Sequence, residues 1–182
     1  MTFYQPAEDS YLLTEILKKE LSILLEENPG LTFLEIGAGS GIHLETAYNS
    51  GVKKENIFSV DINPNAVAHC NSLGFHCVHS DLFQNVPSSF DIIIFNPPYL
   101  LQHKFDDNPD TSAGKKQEVI VRFLQQAKNH LNHDGKIFLL LSSFTPMQNI
   151  NQELKNYKTK LLGNERLFYE ELFVWELTLN HP

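Results

Sequence analysis

Apolar positions along this chain fall into two alternating patterns. From Glu8 to Glu27, Tyr11, Leu12, Ile16, Leu17, Leu21, Leu24 and Leu25 recur at helical spacing, and Pro29-Gly30 closes the run. A short apolar stretch, Leu31 to Ile36, then predicts a buried strand, Gly37 to Gly41 a turn, and Ile42 to Ser50 a helix. Asn56 to Val60 predicts a second strand. Asn63 to Leu73 predicts a helix with Asn63 as N-cap and Pro64 at its first position. Phe75 to His79 predicts a third strand, and Phe90 to Phe95 a fourth that is apolar enough to be central. Gln117 to Leu131 reads as a helix with Val119, Ile120, Phe123, Leu124 and Ala127 on one face; His133-Asp134-Gly135 reads as a turn and Lys136 to Leu141 as a fifth strand. After a helix over Pro146 to Lys155, Tyr157 to Leu162 and Leu167 to Leu179 predict two last strands, expected as an antiparallel pair at a sheet edge. Leu100 to Lys116 is the one long stretch read as irregular, and loops of that length are usually functional. Short apolar runs alternating with helical segments predict one α/β domain around a largely parallel sheet.

Composition narrows the partners. Lys plus Arg total 14 against 22 for Asp plus Glu, a net charge of −8. Such a chain repels phosphate backbones, and no Lys/Arg run offers a basic groove, so nucleic acid is disfavoured as a substrate. No apolar segment approaches the ~20 residues a membrane span needs. The first residues, Met1 to Asp9, lack a basic region followed by an apolar one, so no signal peptide is expected and the cytoplasm is the expected location. Cys70 and Cys77, near His69, His76 and His79, are spaced too loosely for a zinc site and read as reduced thiols; no metal is expected.

Four segments carry candidate chemistry, each at the end of an expected strand. Leu34-Glu35-Ile36-Gly37-Ala38-Gly39-Ser40-Gly41 places glycines as GxGxG, letting the backbone turn sharply and approach a ligand; a dinucleotide loop would read GxGxxG, and Ile42 fills that last position. Asp61 follows the second strand, where a carboxylate beside a glycine loop can accept both hydroxyls of a ribose. Ser80-Asp81-Leu82-Phe83 follows the third, where an acid can accept from an adenine amino group. Asn96-Pro97-Pro98-Tyr99 follows the fourth and is the sharpest signal. Its prolines stiffen the turn. The Asn96 side-chain oxygen and the Pro97 carbonyl offer two acceptors for the two hydrogens of a planar NH2 group, with Tyr99 as a stacking face.

Taken in this order, the four segments resemble the class I methyltransferases that use S-adenosylmethionine (AdoMet). Asn96-Pro97-Pro98-Tyr99 is similar to the amino-methyltransferases that act on adenine amines or glutamine amides. Tyr4-Gln5-Pro6-Ala7-Glu8-Asp9-Ser10-Tyr11-Leu12-Leu13, Gln117 to Leu124 and Glu165 to Leu172 are similar to the archaeal and eukaryotic branch of HemK-type release-factor glutamine methyltransferases. The resemblance implies a Rossmann-like fold: a seven-stranded mixed sheet with an antiparallel last strand and helices on both faces. It implies a single domain over residues 1–182, with an N-terminal helical segment, residues 1–30, packing on the cofactor site. It also implies residue roles. Ser10, Glu35, Gly37 and Gly39 would hold the methionine end of AdoMet, Asp61 the ribose, Asp81 and Leu82 the adenine. Asn96, Pro97, Pro98 and Tyr99 would bind the substrate amide and form the catalytic site. The implied substrate is the glutamine of the Gly-Gly-Gln loop of a class I release factor. The implied partner is a small zinc-binding activator protein in a heterodimer, paired along the edge of the third strand at Phe75 to Val78. Relatives often carry paired glycines before the Gln117 helix, whereas this chain reads Thr111-Ser112-Ala113-Gly114-Lys115-Lys116. The alternative substrates are an amine of a nucleic-acid base, adenine or cytosine, and another protein side chain such as lysine.

Overall fold

The computed structural model describes residues 3–97 and 109–180, with the backbone course alone for residues 109–116. Its frame is set by strands that can be buried on both faces. β1 (Phe33–Ile36) is buried at all four positions, and β4 (Phe90–Phe95) at all but Asp91. Two such strands belong at the middle of a sheet covered on each side. They pair in parallel, Glu35 opposite Ile94 and Ile36 opposite Phe95. β2 (Ile57–Asp61) and β3 (His76–His79) extend the sheet in parallel on the other side of β1. β5 (Leu131–Ser142), β7 (Glu171–Leu179) and β6 (Tyr157–Arg166) complete it in the order β3-β2-β1-β4-β5-β7-β6. β7 runs antiparallel to both neighbours, so the expected antiparallel pair does form at the edge.

Side chains alternate across the sheet and build two cores. Phe33, Ile92, Ile94, Phe138 and Val174 face α1 (Glu8–Glu27), α2 (Ile42–Asn49) and the Cys70 side of α3 (Pro64–Ser72). Leu34, Ile36, Ile93, Phe95 and Leu139 face α4 (Pro109–Ala127) and α5 (Ile150–Leu154). Phe33 and Phe123, one in each core, are fully buried. Truncating either to Ala removes a large apolar volume and costs ~3–5 kcal/mol.

Three expectations are corrected. Residues 109–116, read as loop, form the first turns of α4. Proline suits a helix start because it needs no amide hydrogen there, and a glycine within a helix costs only ~1 kcal/mol, so the Pro- and Gly-containing composition did not decide the conformation. Residues 98–108, including Pro98, Tyr99 and the rest of that expected loop, lie outside the described residues. His133-Asp134-Gly135 is not a turn between elements but part of a bulge within β5. Phe90 pairs with Leu131, and the next pair is Ile92 with Lys136. The bulge is fastened by Asn132, whose side-chain amide donates to Asp91 at 2.7 Å. The helix expected from Pro146 begins only at Ile150; its first backbone bond runs from the Asn151 amide to the Met147 carbonyl, and the Pro146 carbonyl accepts from the Gln117 side chain. No helix among the described residues is long and apolar enough to cross a membrane.

Candidate active site

β1 lies between β2 and β4, so the chain leaves it in opposite directions on its two sides. In an open parallel sheet such a reversal opens a crevice at the carboxyl ends of the strands. Here the crevice is a cavity of about 660 Å³, within the range of small-molecule sites. Ser10, Glu35, Gly37, Gly39, Asp61, Asp81, Leu82, Asn96 and Pro97 all line it. Five separate segments of sequence thus converge on one space. Pro98 and Tyr99 lie outside the described residues.

The glycine loop works through its backbone. Gly37 and Gly39 have φ of +76° and +51°, a region that favours residues without a Cβ. This path aims the Gly39 amide at Asp61, whose Oδ2 accepts it at 2.8 Å, while Oδ1 accepts the Asn63 amide at 2.7 Å. Each carboxylate oxygen keeps a further lone pair for a ligand hydroxyl. Leu82 is the one non-glycine residue described with positive φ, at 49°. Its carbonyl accepts from the Ser80 hydroxyl at 2.9 Å, and that hydroxyl in turn accepts the Asn85 amide at 3.0 Å. Strain of this kind persists only where surrounding bonds hold it, and it gathers at ligand sites. Asp81 is tied to α4 by Arg122, Nη2 to Oδ2 at 2.7 Å.

Two groups lining the cavity each have a buried oxygen left unpaired. Glu35 is 2% exposed; its Oε1 is 2.7 Å from Nδ1 of His43, and its Oε2 has no hydrogen-bond partner. Burial pushes the Glu35 carboxyl above its ordinary value; His43 offsets only part of that rise, and the nearby Asp61 carboxylate adds to it. Burial lowers the His43 ring, but the Glu35 carboxylate and the Ser10 carbonyl, 3.2 Å from Nε2, outweigh it and raise the ring above its ordinary value. Asn96 is the second group. Its Nδ2 donates to Oδ2 of Asp9 at 2.9 Å, and its Oδ1 is buried with no partner. A carboxylate can only accept, so the atom facing Asp9 is the amide nitrogen and the oxygen is left to the site. An unpaired buried acceptor costs ~1–3 kcal/mol, which a donor in the cavity would recover.

Asp9 is itself held. Its Oδ1 accepts the Tyr4 hydroxyl at 2.7 Å and the Ser10 amide at 2.7 Å. Burial and this bond push the Tyr4 hydroxyl well above the usual phenol range. Phe3 stacks on His69 at 4.7 Å, fixing the N-terminal segment to α3 along the cavity rim. Sequence reasoning missed Asp9, Tyr4, His43 and Arg122. Tyr4 and Asp9 lie with Ser10 in one quoted motif and Arg122 in the quoted Gln117 to Leu124 stretch, so these could have been found there; His43 had no local signal. Among the described residues, no group of three or more His, Cys, Asp and Glu side chains is arranged to hold a metal.

Comparison with known proteins decides the family. The family model described as "Methyltransferase small domain" matches residues 10–167. The chain belongs to that family. Its methyl donor is AdoMet, and the chain is an AdoMet-dependent methyltransferase. A relative from Methanocaldococcus jannaschii, provisionally named a protein N5-glutamine methyltransferase, is 34% identical over 96% of this chain and 92% of its own length. The release factor glutamine methyltransferase of Rhodopirellula baltica is 30% identical over 74% of this chain, which spans only 52% of that longer protein. Among solved structures, the Mtq2–Trm112 complex of E. cuniculi, described as methylating the eRF1 translation termination factor, has TM-score 0.72 at 24% identity. It covers 99% of this chain and 100% of its own. At that identity the likeness shows the fold, a class I methyltransferase with a seven-stranded mixed sheet.

The cavity fits the cofactor on its own chemistry. AdoMet carries an ammonium group, two ribose hydroxyls and an adenine amine. The cavity offers the orphaned Glu35 Oε2, the Asp61 carboxylate and Asp81 in matching order along the sheet edge.

Proposed function

We propose that this chain methylates the side-chain amide nitrogen of glutamine in a protein, the Gly-Gly-Gln glutamine of a class I release factor. The observation that carries it is the Asn96 oxygen, buried and unpaired while Asp9 holds the amide nitrogen. In the site so arranged, a substrate NH2 donates one hydrogen to Asn96 Oδ1 and the other to the Pro97 carbonyl. AdoMet, when bound, supplies an electrophilic methyl on its sulfonium. The two acceptors fix the plane of the substrate amide so that its weakly nucleophilic nitrogen faces that methyl. They would also stabilise the positive charge that grows on the nitrogen as its bond to the methyl forms and the methyl–sulfur bond breaks; S-adenosylhomocysteine would be the leaving group and the nitrogen would give one proton to solvent. Amides are poor nucleophiles, so orientation and charge stabilisation must supply most of the rate.

The cofactor residues take matching roles. Ser10, Glu35, Gly37 and Gly39 hold the methionine end, Asp61 the ribose hydroxyls, and Asp81 with Leu82 the adenine. Asn96 and Pro97, with Pro98 and Tyr99, hold the amide. The names of the archaeal and bacterial relatives support glutamine as the acceptor. The E. cuniculi protein is described in complex with a partner. β3 lies at the edge of the sheet here, with His76 and His79 exposed. A small zinc-binding activator protein adding a strand along this edge, at Phe75 to Val78, is the partner proposed. A release-factor substrate supports a cytoplasmic location.

The test is transfer from labelled AdoMet to the cognate release factor, with and without the activator. Label on the Gly-Gly-Gln glutamine is expected. Label on nucleic acid or on lysine, with none on that glutamine, would replace this substrate with one of the alternatives.

A further inference from the structure

His43 occupies a position that the glycine loop does not explain. It sits in the first turn of α2, 3% exposed, with both ring nitrogens engaged. Nδ1 meets Glu35 Oε1 of β1 at 2.7 Å and Nε2 meets the Ser10 carbonyl of α1 at 3.2 Å. A carbonyl accepts only, so Nε2 carries a hydrogen. The remaining question is what keeps Glu35 charged. A fully buried carboxyl alone takes up a proton rather than remain ionised. Asp61 of β2 makes this worse for Glu35, whereas Asp9 of α1 favours the protonated ring of His43. The thiols of Cys70 and Cys77 also lie within electrostatic reach of Glu35 and Asp61.

We infer that His43 is a positioning residue for the cofactor: its imidazolium occupies one oxygen of Glu35, keeps that carboxylate ionised, and leaves Oε2 to receive the α-ammonium of AdoMet. The same ring clasps the Ser10 carbonyl, so it joins α1, β1 and α2 at the methionine end of the cavity. Oε2 is buried and unpaired as this requires. The raised ring, with Nδ1 2.7 Å from Oε1 and Nε2 turned to the Ser10 carbonyl, favours the charged imidazole, and it works against the burial that raises the Glu35 carboxyl.

The inference concerns binding of the cofactor and does not depend on which substrate is methylated. Its test is calorimetric affinity of the full chain and of His43→Gln for three ligands, without any transfer assay. AdoMet and S-adenosylhomocysteine both carry the α-ammonium, whereas 5′-methylthioadenosine lacks the amino-acid end. In H43Q the first two are expected to weaken about tenfold or more at neutral pH, and methylthioadenosine to bind as before. The H43Q deficit should shrink as pH rises, below the range where the ligand's amino group titrates, because Glu35 then loses its proton without help. The unaltered protein should show no such recovery. Equal weakening of all three ligands would assign His43 a packing role only and overturn the inference, and so would unchanged affinity for AdoMet. If H43Q does not fold, the ring nitrogen chemical shifts of His43 in the unaltered protein decide. Both nitrogens protonated at neutral pH is the expected result, and a neutral ring contradicts it.

Discussion

On the β1–β2 side of the cavity, Asp61 accepts two backbone amides, and His43 engages one oxygen of Glu35 and leaves the other open. On the β4 side, Asn96 makes one hydrogen bond and leaves its oxygen unpaired. The first side is built almost wholly from neighbours in sequence or in adjacent strands; the second depends on Asp9, 87 positions away. AdoMet enters anew at each turnover as the same molecule, which suits a site assembled from short-range contacts with Glu35 Oε2 left open for it. A variable acceptor suits one whose last bond is supplied by the substrate. Variants on the two sides should therefore separate binding of AdoMet from transfer.

The largest effect belongs to Asn96. Asn96→Ala removes the acceptor aimed at the substrate amide, and kcat should fall about 10²–10³-fold, as for loss of one donor or acceptor from a charge-stabilising site. The affinity for AdoMet should stay within about twofold, since that side is intact. A matching loss of AdoMet binding in calorimetry would merge the two sides and break the comparison.

Asp9→Asn comes next. Asparagine can meet Asn96 with either end, so the Asn96 amide is free to turn and half the productive orientation is lost along with the charge. A loss of about 10–100-fold in kcat/KM is expected. Tyr4→Phe, which removes only the hydroxyl that holds Asp9, should lose less. Steady-state kinetics at saturating AdoMet read both, and a Tyr4→Phe loss exceeding that of Asp9→Asn would contradict the order of dependence.

On the other side, Asp61→Ala should raise the AdoMet dissociation constant roughly tenfold or more while kcat at saturation changes little. A fall in kcat with unchanged affinity would move Asp61 out of the ribose role.

The smallest effect on chemistry is expected at the opposite end of the sheet. Asp91 accepts the Thr32 amide and hydroxyl at 2.8 Å and the Asn132 side chain at 2.7 Å. Burial raises its carboxyl, but these bonds win and hold it below the usual range. A carboxyl depressed on folding stabilises the protein above its unfolded value, and that contribution is lost as pH falls through the folded one. Asp91→Asn should cost up to ~1 kcal/mol near neutral pH, because solvent screens this half-buried carboxylate, with the deficit shrinking in acid and transfer unchanged at saturating ligands. Denaturant titrations at a series of pH values read it; a constant deficit would remove Asp91 as its source.

The same contrast explains what the sequence disclosed. Gly37, Gly39, Asp61, Asp81 and Asn96 each directly follow an apolar strand, so their order along the chain already placed them at one sheet edge. The antiparallel pair at the end was legible from two long strands with a short connection. His43 gave no signal, because its role comes from facing β1 and α1 at once, and a histidine after a glycine loop has no periodic pattern. Arg122 could not be placed before α4 was known to lie over the third loop. The start of α4 was hidden by residues that suit loops and helix N-termini equally. The β5 bulge was hidden by a glycine whose surroundings, not its type, determine the path.

The central claim is that the acceptor atom is a planar amide nitrogen held by Asn96. It is tested most directly by tandem mass spectrometry of the release factor after reaction, locating the added methyl to a single atom. A methyl on the side-chain nitrogen of the Gly-Gly-Gln glutamine, absent with Asn96→Ala, is the expected result. A methyl on a lysine amine, a carboxylate oxygen or a backbone atom, or full modification by Asn96→Ala, would contradict it.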